Sequence, residues 1–344
     1  MAEIIRRIEE DDFKEVSDLF LENGILEEGN TVEELMWLFT DPEFPDQYNA
    51  FVALNDKNSI IGVIGYTLSN YIQGADTFLG VTPFSWKLKS GYKGLAGVSL
   101  FKKVSEFGDI KIAIGGTNIA SKLYPLFKYK FLNRSNKYYK ILNIPNCYKT
   151  LKGRSFRKRI SNIGYLIPSY FKNTRQKSLY KDISFVPYTQ NNFVEDDHSA
   201  NILRKKFTRP YLDWQMRCPR LKVHAFVLKR GNDNLGMCVL SVQKFDSTFK
   251  GRIIHLPFLG DDLILWKSVI NQCLEFLKDQ GCCFVSGLAI NDTYKSGLIQ
   301  SGFITIESHV ETIYAKDGNR EIAQFDYRNW HFQYSEGDIG FMDL

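Results

Sequence analysis

One order of elements can be read twice along the chain, and this repeat restricts the fold more than any other feature. In the first half, alternating apolar residues predict strands over 50–54, 60–69 and 77–89. A helix follows, with Val98, Leu100, Phe101 and Val104 on its inner face and an end near Gly108. A strand over 110–114, a helix over 118–127 and a strand over 138–142 close that half. The second half predicts strands over 223–229, 235–243 and 252–258, then a helix over 263–278 with Leu265, Val269, Cys273, Phe276 and Leu277 inward. A strand over 282–287, a helix over 291–301 and a strand over 303–314 follow. Strand–helix alternation predicts α/β layering, a mixed twisted sheet flanked by helices. The repeat predicts a duplicated domain.

Two helices precede the first copy. One spans 9–23, with acids in its first turn and Gly24 as its stop; the other opens at the capping box Thr31-x-x-Glu34 and runs through Leu38. Length agrees with duplication, since 344 residues suggest two or three domains at ~100–200 residues each. The expected division is a domain over 1–148, a basic linker over 149–181 and a second domain over 182–344. No apolar run reaches the ~18 residues of a spanning helix, and the first seven residues lack a signal-peptide layout. Six cysteines without a Cys-x-x-Cys pair predict reduced core thiols and a cytoplasmic location. The five histidines show no metal spacing, so no metal is expected, and neither a Gly-x-Ser-x-Gly elbow nor a Walker loop is present.

Charge is segregated. Residues 110–181 hold 17 Lys and Arg and no Asp or Glu. The remaining 27 basic and 39 acidic residues give −12, so the overall net charge of +5 conceals a cationic arm on an acidic body. Such an arm suits a polyanion, either nucleotide phosphates, RNA or an anionic membrane surface, or else it is a solvated linker. The aromatic patch Tyr165-Leu166-Ile167-Pro168-Ser169-Tyr170-Phe171 beside it reads as linker packed on a domain, or as an interfacial membrane element.

The turn Gly91-Tyr92-Lys93-Gly94-Leu95-Ala96-Gly97 lies between a strand and a helix. Small residues there let backbone N–H groups converge, and the helix N-terminus adds positive potential, which suits a pyrophosphate. Lys93 can add a point charge.

This strand, x-x-Gly-x-Ala loop, helix, short strand, Asn and Tyr-bearing helix resembles the GNAT acyltransferase superfamily. The resemblance implies that residues 91–97 grip the pyrophosphate of acyl-coenzyme A, through Gly94 and Ala96 at the matching positions. Gly91 stands where the family usually has Gln or Arg, and Lys128-Tyr129 replaces a glycine–aromatic pair. It implies further that a backbone N–H around Trp86 to Leu88 stabilises the oxyanion, that Asn118 is family-like, and that Tyr124 protonates the leaving thiolate. In the second half Leu259-Gly260-Asp261-Asp262 would repel a pyrophosphate and Leu298 offers no hydroxyl, so coenzyme A is expected in the first half alone.

The segments Arg209-Pro210-Tyr211-Leu212-Asp213-Trp214 and Trp330-His331, with Glu336-Gly337-Asp338, look like those of GNAT-type N-acyltransferases acting on nucleotide-linked amino sugars. That implies a dTDP-3-amino-3,6-dideoxyhexose acceptor in O-antigen or capsule synthesis. Arg209 would pair with phosphate, and Tyr211, Trp214 or Trp330 would stack. Asp213, His331 and Asp338 are candidate bases. Each aromatic could equally be core. No nucleic-acid partner is expected on this reading, and a homodimer is compatible with it. Two alternatives stay open: an aminoacyl-tRNA-dependent transferase of FemABX type, and a non-catalytic polyanion-binding protein.

Overall fold

The computed structural model describes residues 4–22, 31–92, 94–114, 118–150, 169–170, 180, 182–195, 202–245, 248–317 and 330–336. The first half runs β1 (Ile4–Arg7), α1 (Phe13–Glu22), α2 (Thr31–Phe39), β2 (Ala50–Leu54), β3 (Ile60–Gln73), β4 (Asp76–Leu88), α3 (Ala96–Val104), β5 (Ile110–Ile114), α4 (Asn118–Leu126) and β6 (Lys130–Ile141). After α5 (Ile144–Thr150) come β7 (Ile183–Pro187), β8 (Leu203–Lys205) and α6 (Arg209–Met216). The second half continues with β9 (Lys222–Arg230), β10 (Asp233–Phe245), β11 (Thr248–His255), α7 (Leu263–Asp279), β12 (Cys282–Ala289), α8 (Asp292–Gln300), β13 (Ile304–Asp317) and β14 (Trp330–His331). The repeated strand–helix order is present in both halves, and α5 runs across the boundary expected at 148.

Side-chain alternation decides what covers the sheet. Ala50, Val52 and Leu54 point to a core with Phe13, Phe20 and Phe39 of α1 and α2. Phe51 and Ala53, between them in sequence, join Leu100, Phe101 and Ala120 of α3 and α4 on the other face. Both faces of β2 are therefore apolar, as a strand buried on both sides requires.

The two halves exchange their last strands. The sheet order is β1-β2-β3-β4-β5-β13-β6-β12-β11-β10-β9-β7, with β8 and β14 off this path. Strand β13, from the second copy, lies antiparallel between β5 and β6, while β6, from the first, pairs with β12 as well as β13. A core on one face joins the halves, bringing Tyr71, Ile110 and Ile112 together with Trp214, Val239 and Leu288. Trp37 and Trp214 tie them further. Their rings stack at 4.5 Å and each indole N–H donates to the other's carbonyl, at 2.9 and 2.8 Å. Arg220 pairs with Glu34 at 2.8 Å in a buried ion pair.

The basic arm divides. Most of 151–179 lies outside the described residues. Lys111, Lys137 and Lys140 are buried, not solvated; Lys111 donates to the Gly108 carbonyl at 3.1 Å and Lys140 to the Ser169 carbonyl.

Candidate active site

β4 and β5 pair in parallel only at Gly80–Ile110 and Val81–Lys111. Beyond Val81, β4 runs on to Leu88 while pairing with β3 alone. There it carries a bulge. Phe84 opposes Gly65 and Lys87 opposes Val63, leaving Ser85 and Trp86 against Ile64. Ser85 has φ +47, a left-handed conformation that is costly for a residue with a Cβ. Bulges re-aim backbone and side chains, and they gather beside active sites. Ser85 gave no sequence signal, because nothing local marks a serine for that conformation.

The turn after β4 leads to an open helix end. Tyr92 N–H donates to Lys89 O at 3.1 Å, and Gly91 takes φ +77 on the surface. Gly94 and Leu95 are exposed; Lys93 lies outside the described residues. Leu95 at the N-cap of α3 supplies no side-chain hydrogen bond, so the first-turn N–H groups are not capped by that residue. Gly97 has a packing role. A Cβ there would stand 3.0 Å from Leu88 and 3.4 Å from Trp86, so glycine lets α3 press onto the free end of β4. Trp86 stacks on Phe101 at 5.0 Å, and its Nε1 is buried with no hydrogen-bond partner.

The corresponding helix ends of the second half are closed by their own side chains. Asp262 caps α7, accepting from Ile264 N–H and Leu265 N–H at 3.0 Å each, and Tyr180 donates to it. The hydrogen bond from Leu265 leads in holding the Asp262 carboxyl below its usual range. Asn291 caps α8 in the same way through Thr293 and Tyr294. The Asp262 carboxylate thus occupies first-turn N–H groups of α7.

The space beside β11 is filled too. Pairing of β11 with β12 ends at Arg252, and Leu256 lies four residues on (256 − 252), as Ser85 lies four beyond Val81 (85 − 81). Leu256 N–H donates to Gln333 Oε1 at 2.7 Å, and Gln333 Nε2 donates back to Leu256 O at 2.9 Å. His331 Nε2 donates to the same carbonyl at 2.9 Å. Ser335 O accepts from Lys205 Nζ and Tyr211 OH at 2.9 and 2.8 Å. Residues 330–336 therefore fill the space at Leu256 in the second half.

These bonds relocate several expected site residues. Tyr211, Trp214, Trp330 and His331 are buried and committed to packing or to the plug, not arrayed on an open wall. Trp330 packs edge-on to Tyr71. Arg209 remains on the surface with Asp213, 3.6 Å away. Asp338 lies outside the described residues. Asn118 opens α4. On the same helix Tyr124 is buried among Phe101 and Tyr129, at ring distances of 5.6 and 5.8 Å. Burial pushes the Tyr129 hydroxyl up to about 12, against a smaller opposite pull from Ser105. Among the described residues no cluster of His, Cys, Asp and Glu could hold a metal ion, and no helix is long and apolar enough to cross a membrane.

No family model and no curated protein matches the chain by sequence. Solved structures do match in shape. A GCN5-related N-acetyltransferase from Anabaena variabilis aligns at TM-score 0.58 and 9% identity over 92% of this chain and 73% of that one. A putative acetyltransferase from Pyrococcus horikoshii aligns at 0.54 and 11%, over 97% and 96%. Saccharomyces cerevisiae N-myristoyltransferase with bound myristoyl-CoA aligns at 0.57 and 9%, over 95% and 83%. At these identities the likeness is one of fold: an α/β chain of two GNAT-like halves.

Proposed function

We propose that the chain is an N-acyltransferase that takes its acyl group from acyl-coenzyme A at the first half and passes it to the amine of a nucleotide-linked amino sugar. The observation that carries the first part is the contrast between helix ends. The N-terminus of α3 follows a bulged strand and a glycine turn, and its N-cap residue Leu95 supplies no side-chain cap, whereas those of α7 and α8 are closed by Asp262 and Asn291. An uncapped helix end holds converging N–H donors and positive potential, the requirement of a pyrophosphate. The acceptor rests on the resemblance of 209–214 and 330–338 to amino-sugar N-acyltransferases, a chemistry that belongs in the cytoplasm with its activated donors.

The reaction joins a neutral amine to a thioester. The amine nitrogen attacks the carbonyl carbon and a C–N bond forms. The C–S bond then breaks, the nitrogen loses its proton and the thiolate gains one. Holding both reactants in line is worth roughly 7–11 kcal/mol. Backbone N–H groups at the β4 bulge are the oxyanion donors in this scheme. Tyr124, packed on the Phe101 ring that also carries Trp86, is the acid for the thiolate.

A thermal-shift titration with coenzyme A, dTDP and tRNA tests the reading. Coenzyme A and dTDP each raise Tm, and tRNA does not. At a hundredfold excess over Kd the stabilisation is about 2.7 kcal/mol. Stabilisation by tRNA without coenzyme A would instead favour the aminoacyl-tRNA transferase.

A further inference from the structure

Among the described residues, three other than glycine take a left-handed conformation, and two of them have a local reason. Asn58 closes the turn between β2 and β3, where its N–H donates to Asn55 O at 3.1 Å. Lys128 follows α4, where its N–H donates to Pro125 O at 2.9 Å. Ser85, at φ +47, stands inside a strand. Glycine would hold the same backbone without the steric cost, so a serine there calls for a use of its side chain.

The bulge sets where Ser85 lies. Phe84 belongs to the core with α1 and α2, and Trp86 packs on the core with α3 and α4. Two residues apart on a regular strand they would share a face; the extra residue turns Trp86 across the sheet. Ser85 and Trp86 both oppose Ile64, which lies in the core with α3 and α4. Ser85 is therefore beside Trp86, four residues past the last β4–β5 pair at Val81 (85 − 81). It is partly exposed, and its hydroxyl makes no hydrogen bond with the described residues. Leu256, at the matching distance in the second half, is not left-handed and carries no hydroxyl, and its N–H and carbonyl are held by Gln333 and His331.

We infer that the Ser85 hydroxyl receives the acceptor amine and relays its proton. The inference rests on the proposed acyl transfer, which sets the oxyanion against backbone N–H groups of this same bulge. The carbon under attack is bonded to that oxygen, so the incoming nitrogen meets the hydroxyl of the bulge. Ser85 Oγ accepts a hydrogen bond from the neutral amine and aims its lone pair at the carbon. As the C–N bond forms, the nitrogen's proton passes to Ser85 Oγ while the serine's own proton passes to solvent water. The C–S bond breaks, Tyr124 protonates the thiolate and is reprotonated from solvent, and Ser85 is left as it began. A hydroxyl both accepts and donates, which suits a relay at a site in contact with water.

The test follows thiol release from acetyl-coenzyme A with a dTDP-3-amino-3,6-dideoxyhexose, together with coenzyme A affinity by calorimetry and Tm, for the parent, Ser85→Ala and Ser85→Gly. Alanine removes the oxygen and keeps the Cβ; glycine also relieves the backbone. Both variants are expected to lose roughly ten- to a hundredfold in kcat, the help of one proton-transfer group with water as a partial substitute. Coenzyme A affinity stays within about twofold of the parent. Tm is unchanged in Ser85→Ala and equal or higher in Ser85→Gly, so slower turnover comes without lost stability. A kcat within about twofold of the parent in Ser85→Ala would overturn the inference and leave Ser85 as the residue that turns Trp86. A parent that binds no coenzyme A and releases no thiol would overturn the acyl-transfer reading itself, an outcome seen before any variant is made.

Discussion

Tyr124 is the residue on which the proposed chemistry can be separated from packing. Its ring lies among Phe101 and Tyr129, and phenylalanine preserves those contacts. Tyr124→Phe is therefore expected to leave acyl-coenzyme A affinity unchanged and to lower kcat by roughly ten- to a thousandfold, the range for one proton-transfer group with water as a partial substitute. Steady-state thiol release measures it, and a kcat within about twofold of the parent would make Tyr124 a packing residue. Aromatic residues also show where single residues resist reading. Tyr211 and Trp214 occupy helical spacing on α6, and the same spacing serves a ligand wall or a core. The choice was settled by Trp37, 177 positions away and reciprocally bonded to Trp214, and by the carbonyl of Ser335 above Tyr211. No window of sequence contains either fact.

At the scale of elements, local pattern was sufficient to find the repeated strands and helices of both copies, though not β1 or α5, because periods of two and 3.6 report burial directly. The glycine turn was legible for the same reason, as small residues at a strand–helix junction. Strand partners were not. The pattern of β6 states that it is a strand; nothing in it names β12 as its neighbour. The short pieces β1, β8 and β14 were missed because two to four residues carry no period. Asp262 was legible as a charge, and its role as a cap emerges from its bonds to Ile264 and Leu265. That role has a pH signature. The folded carboxyl lies below its unfolded range, so its stabilisation is present above the unfolded pKa, ~3.9, and is lost as pH falls through the folded value. Asp262→Ala should cost about 0.5–2 kcal/mol at neutral pH. Thermal melts from pH 6 to 3 should show the parent's advantage shrinking toward acid; a constant difference would contradict the cap.

For the whole molecule, exchange of the last strands makes each half depend on the other. A chain ending at Tyr148 would keep β6 but lose β13, which separates it from β5. The edge of β5 that β13 covers over Ile110 to Ile114 would then be exposed, a template for aggregation. Residues 1–148 expressed alone are expected to be insoluble or unfolded by circular dichroism, and a soluble fragment that acylates at full rate would refute the dependence. The same arrangement explains why one half can be plugged. Residues 330–336 close the second half with Gln333 and His331 on Leu256 while they brace the join through Lys205 and Tyr211. On the proposed reading one copy serves as scaffold and acceptor wall, and the other supplies the helix end that takes the coenzyme.

Whether that open end binds coenzyme A is the centre of this account. Calorimetric titration of the parent, Gly94→Asp and Asp261→Ala with coenzyme A measures it directly. Gly94 is exposed beside the uncapped start of α3, and an aspartate there sets a negative charge against the pyrophosphate. The expected result is a single site per chain in the parent, no measurable binding by Gly94→Asp, and parental affinity in Asp261→Ala. Unchanged affinity in Gly94→Asp, with that variant melting like the parent, would contradict the assignment.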